Sequence, residues 1–91
     1  MTRKRNRLEV IRDILNVIRE KNGKIKPTHI LYKSNLSHQM MDDYMKELMQ
    51  KGFIIESKGS AGKTYAITPK GITFLDKYRL IAEFTDSFGL G

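Results

Sequence analysis

The sequence predicts an α+β fold in which helices pack around one two-stranded hairpin, and three features between Leu36 and Gly71 predict it. Met41, Tyr44, Met45 and Leu48 recur at helical spacing behind Ser37, which gives a helix with one apolar stripe. The β-branched run Phe53-Ile54-Ile55 and the alternating Tyr65 and Ile67 then flank a polar, glycine-bearing turn, the pattern of a hairpin. Finally, Thr68-Pro69 sets an N-cap residue before a proline at the first helical position, so a new helix starts there. Helix, hairpin, helix in that order is the layout of a winged helix-turn-helix: three helices plus a two-stranded β-wing, here with a C-terminal fourth helix.

Each element has its own local cause. Residues 1–6 form a basic N-terminal arm, since Arg3 to Arg7 puts four cations in five positions ahead of any apolar periodicity. Asn6 with Glu9 three residues later reads as a capping box, so helix one starts at Arg7. Leu8, Ile11, Leu15 and Ile18 make its inner face with Ile14 and Val17 on the flanks, and Asn22-Gly23 stops it. Lys24-Ile25-Lys26 fits a very short first strand. Pro27 opens helix two, where Ile30 and Leu31 face inward and Tyr32 can join them. After the Ser34-Asn35 turn, Ser37 caps helix three, with Leu36 and Met41 spaced as a hydrophobic staple. Gly52 supplies the left-handed residue that ends that helix. The strands are placed at 53–57 and 64–68, with Lys58 to Lys63 as the turn.

The winged helix-turn-helix domain thus covers residues 7–75, and the last helix, within 69–91, overlaps its end. Ile72, Phe74, Leu75 and Tyr78 close the core. A finished domain needs nothing apolar beyond them, yet Leu80, Ile81, Ala82, Phe84 and Phe88 follow. An apolar stripe left after the core is satisfied marks a contact with another chain. Tyr78, Leu80, Ile81, Phe84 and Phe88 are therefore assigned to homodimerisation; the competing arrangement folds this half back on helix one.

Composition narrows the function. The 91 residues carry 17 Lys+Arg against 10 Asp+Glu, a formal net charge of +7, which favours a polyanionic partner. There is no Cys, hence no disulfide framework and no thiolate metal site. No apolar run approaches the roughly 18 residues of a membrane span. The expectation is a cytoplasmic, nucleoid-associated protein without membrane, cofactor or evident small-molecule substrate. Gly59 to Thr64 imitates the end of a phosphate-binding loop, but the first required glycine falls on Ser57, and a strand follows where a helix must. His29 and His38 lack partners at metal-ligand spacing. Asp42 and Asp43 are adjacent on a helix and point about 100° apart, so they form no acid–base pair. No catalytic residue, and no enzyme, is expected.

Double-stranded DNA is the expected partner. His38, Gln39 and Lys46 lie on helix three, which such folds use as the reader, Lys58 and Lys63 at the wing, Arg3, Lys4 and Arg5 in the arm, and Lys33 at the helix-two edge. Against this, residues 38–51 hold Lys46 and Lys51 but also Asp42, Asp43 and Glu47, a net of −1. The positive charge sits instead in the arm, at Lys21, Lys24, Lys26 and Lys33, in the wing and at Lys70. Affinity is therefore expected from backbone contacts, which position and attract without reading sequence. The alternative is a winged-helix protein–protein interaction module without DNA binding.

Four blocks carry a family likeness: the basic arm running into Leu8-Glu9-Val10-Ile11; Asn35-Leu36-Ser37; Tyr44-Met45-Lys46 followed by Leu48-Met49; and Tyr65 through Gly71. With them the chain resembles the small archaeal winged-helix DNA-binding proteins of the Sulfolobus ten-a type and, more loosely, regulators of the multiple-antibiotic-resistance and PadR kinds. The resemblance implies a homodimer joined by an antiparallel coiled coil of the last helices, two heads on double-stranded DNA, and a chromatin-like or regulatory role in an archaeal or archaeal-virus setting.

Overall fold

A computed structural model of the chain describes residues 5–60 and 62–90. The order is α1 (Arg7–Glu20), α2 (Pro27–Ser34), α3 (His38–Gln50), β1 (Ile54–Gly59), β2 (Gly62–Ile67) and α4 (Pro69–Ser87). The caps stand where the sequence puts them. Asn6 and Glu9 close a full capping box, Ser37 Oγ accepts from Met40 N–H, and Thr68 Oγ1 accepts from Gly71 N–H with Pro69 at the first position. Asn35 ends α2 in the left-handed region at φ +53°, and Gly52 follows α3 at φ +77°.

β1 and β2 pair antiparallel, Ile54 with Ile67 and Glu56 with Tyr65. The short first strand is a single bridge, Ile25 to Tyr65. The strands run further than the sequence suggests: Lys58 pairs with Lys63 and Gly59 with Gly62, so only residues 60–61 connect them. The ladder continues through the two lysines because cross-strand hydrogen bonding does not depend on side-chain polarity.

One core joins these elements. Ile14, Leu15 and Ile18 of α1 are fully enclosed by Ile30 of α2, Leu48 of α3, Ile54 and Tyr65 of the hairpin, and Leu75 of α4. α1 is covered on two sides, by α2 with the hairpin and by α4. Its buried arc therefore includes Val10, Ile14 and Val17, while Leu8, expected inside, is 51% exposed at the rim. Tyr32 is likewise exposed, beyond the reach of the core that Ile30 enters. Among the described residues no helix is long and apolar enough to cross a membrane.

Candidate nucleic-acid interface

The α2–α3 corner is fixed by side chains from outside it. Arg5 donates to Asp13 Oδ2 at 2.7 Å and to the carbonyls of Ser34 and Asn35 at 2.8 and 3.3 Å. A guanidinium thus satisfies carbonyls that the end of α2 leaves open, on the side where the helix dipole is negative. Arg5, expected in the arm, is part of this corner. With the corner set, Thr28 and Tyr32 of α2 and His38 at the start of α3 line a shallow hollow of about 150 Å³ with Pro27, Leu31 and Met41.

At 100° per residue, Gln39, Asp42, Asp43, Lys46 and Gln50 point away from the face of α3 that buries Met45 and Leu48. These polar groups are paired along the helix. Gln39 Nε2 donates to Asp43 Oδ1 at 3.1 Å, and Lys46 Nζ lies 3.7 Å from Asp42 Oδ2. Glu47 turns toward α1, where it accepts from Lys51 and Arg7, and those bonds, Lys51 first, hold its carboxyl below the usual carboxylate range. Arg7 also lies over the Tyr44 ring, 5.9 Å from its centre. So of the three acids on α3, Glu47 is neutralised on a flank and only Asp42 and Asp43 face outward.

Residues opposite one another in a sheet share a face. Lys58 and Lys63 therefore share the face of Tyr65, Ile54 and Ile67. Lys63 Nζ lies 3.9 Å from Glu56 Oε2, which also accepts from the Tyr65 hydroxyl at 3.2 Å. Burial first, then the Glu56 carboxylate, pushes the Tyr65 phenol up to about 12, and Asp42 adds to the effect. Ile54, Tyr65 and Ile67 of this face share the core with Met45 and Leu48 of α3. Lys58 has no ion-pair partner among the described residues. Like charges directly opposite on a hairpin are destabilising, an effect that a bound anion offsets.

The remaining expected positions are scattered. Lys33 lies 3.8 Å from Glu20 at the surface, and Arg3 and Lys4 fall outside the described residues. On the opposite flank α4 runs back along α1, so that Arg12 lies over the Tyr78 ring at 5.2 Å and Phe74 packs beside it. Tyr78, Ala82 and Thr85 are half-buried on this edge, whereas Leu80, Ile81, Phe84 and Phe88 are exposed. One edge of α4 thus folds onto α1, the competing arrangement weighed from sequence, while an apolar arc stays exposed. Leu8 borders that arc across an open groove shared with Ile81 and Thr85. Two features escaped the sequence reading: the Arg5 anchor, which depends on a contact 29 residues away, and the Thr28–Tyr32 edge, for which helical spacing gives no signal.

Residues 4–86 match the family model described as a winged helix-turn-helix. The chain belongs to that winged helix-turn-helix family. An uncharacterized protein of Methanocaldococcus jannaschii, MJ0290, is 34% identical over 82 residues, 86% of this chain and 36% of that protein. The chain thus spans about a third of the length of that relative. Among solved structures, Sso10a-2, a DNA-binding protein from Sulfolobus solfataricus, superposes with a TM-score of 0.79 at 20% identity, covering 92% of this chain and 85% of its own. F-93 of SSV1 gives 0.70 at 23% identity, covering 96% and 94%. The PcaV transcriptional regulator from Streptomyces coelicolor gives 0.72 at 12% identity, covering 86% and 57%. At these identities the winged helix-turn-helix fold is what is shared.

Proposed function

We propose that this winged helix-turn-helix protein binds double-stranded DNA as a non-enzymatic transcriptional regulator or nucleoid-associated protein. In this reading it is cytoplasmic and acts as a homodimer. The observation that carries the reading is the Lys58–Lys63 pair, like charges held opposite each other on the sheet face that adjoins α3. Lys63 has the Glu56 carboxylate at 3.9 Å, but Lys58 has no ion-pair partner among the described residues, so the pair keeps a positive charge that a phosphate backbone would satisfy. The net charge of +7 and the printed description of Sso10a-2 as a DNA-binding protein support the same partner. His38, Gln39 and Lys46 would approach the bases, with Arg3, Lys4 and Lys33 on phosphates; Arg5 would serve by anchoring the arm at the α2–α3 corner. The exposed arc of Leu80, Ile81, Phe84 and Phe88 supports the homodimer.

The test is an affinity titration on mixed-sequence duplex across a salt series. Neutralising about six phosphates gives a log–log slope near −5. Affinity independent of salt would sink the reading. Failure to bind even at low salt would favour the second reading, a protein-interaction module, to which the net-negative outward face of α3 lends itself.

A further inference from the structure

Between α1 and α2 the chain makes a short excursion that the hairpin holds in place. Gly23 N–H donates to the Tyr65 carbonyl at 3.0 Å, and Tyr65 N–H donates to the Ile25 carbonyl at 3.1 Å. Ile67 N–H donates to Asn22 Oδ1 at 2.8 Å, and Lys24 N–H closes on the Lys21 carbonyl at 2.9 Å. Gly23, at φ +81°, permits the turn. Ile25 is buried on the face of its bridge partner Tyr65, so Lys24 and Lys26 on either side of it point to the opposite face. Lys58 and Lys63 occupy Tyr65's face. The hairpin with its bridged third segment therefore bears lysines on both faces.

On the second face, Lys21, Lys24, Lys26 and His29 line an open trough of about 740 Å³ with Asn22 and Glu20. Lys21, Lys24 and Lys26 are exposed and have no ion-pair partner among the described residues. The one carboxylate of the lining, Glu20, has Lys33 at 3.8 Å. Three ammonium groups gathered round one trough on a pinned backbone, without carboxylate partners, raise the local positive potential. A polyanion is drawn to that potential, and little backbone freedom is lost when it binds.

Resting on the DNA-binding reading, we propose that this trough is a second phosphate-contact surface. The duplex engaged by α3 and the wing also lays its backbone over Lys21, Lys24 and Lys26, so phosphates flank the hairpin on both faces. The same duplex is the fitting occupant because two strand spacings, roughly 10 Å, separate the Ile25 segment from β1. A duplex presents one charge per ~1.7 Å of axis and spans that gap without a break.

The experiment compares three proteins on one mixed-sequence duplex across a salt series: the wild type, Lys24→Glu/Lys26→Glu, and a charge-matched control, Arg19→Glu/Lys77→Glu, on the α1–α4 flank. All four side chains are exposed, and circular dichroism verifies the folds; Lys24→Ala/Lys26→Ala repeats the test without charge reversal. Each phosphate contact contributes about 0.9 to the slope, so loss of two per protomer makes it shallower by about 2 for each bound head and lowers affinity roughly ten-fold or more, with the control slope unchanged. A wild-type slope in both trough variants overturns the inference. So does an equal change in the control, which would reduce the effect to net charge. A wild type that does not bind at low salt sinks the DNA-binding reading itself, a distinguishable result.

Discussion

Gly71 packs the first turn of α4 against the base of the hairpin. A Cβ there would stand 2.5 Å from the Phe53 carbonyl oxygen and 2.6 Å from Ile67 Cγ1. The carbonyl is backbone and shifts only with β1, so Gly71→Ala should cost about 1–3 kcal/mol in urea unfolding. An unchanged midpoint would mean that α4 docks less closely than described. Tyr65 carries a pH dependence. Its folded phenol is pushed up to about 12 by burial and Glu56, whereas the unfolded phenol ionises near 10. The unfolded chain thus loses its proton first, so this contribution is complete below pH about 10 and is lost as pH rises toward about 12. Tyr65→Phe should remove that part of the alkaline decline; identical declines in variant and wild type would contradict it. Glycine in a Thr-Pro-Lys-Gly block is visible in sequence, but the atoms that exclude a methyl group at Gly71 come from Phe53 and Ile67, brought there only by folding.

At the scale of elements, α3 combines a cationic setting with an acidic outward face. Asp42→Asn/Asp43→Asn keeps the side-chain shape and removes two negative charges. If that face meets DNA, affinity for mixed-sequence duplex should rise several-fold at low salt as phosphate repulsion is lifted. No change would place the outward face of α3 off the duplex. The helix itself was fully legible from Ser37 and the stripe through Met41, Met45 and Leu48, because caps and periodicity are local properties. The partners of its acids were not. Glu47 meets Arg7 across 40 residues, and only that tertiary contact reveals that its charge is quenched. The wing shows the same division: its strands could be located, but their extension to Gly59 and Gly62 depends on the ladder register.

For the whole molecule the open matter is α4, whose half-buried edge faces α1 while Ile81 and Phe84 stay 64% and 61% exposed. Ile81→Glu/Phe84→Glu should convert a homodimer to a monomer on size exclusion and weaken DNA binding by removing the second linked head. An unchanged elution volume, or a wild type that is already monomeric, would remove the dimer from the picture. Of the residues expected in that interface, Tyr78 is half-buried beside Arg12 and Phe74 within the chain, and Leu8 borders the exposed arc.

The amino-acid order alone determined the four helices, the hairpin, their caps and the surplus of positive charge, since each follows from residues a few positions apart. Tertiary structure decided which faces those elements present. It turned Leu8 outward, tied Arg5 to the α2–α3 corner, set Lys58 opposite Lys63, and gathered Lys21, Lys24 and Lys26 on the other side of the hairpin. The reason is that exposure and charge pairing depend on which distant segment arrives at a residue, and no local periodicity encodes that.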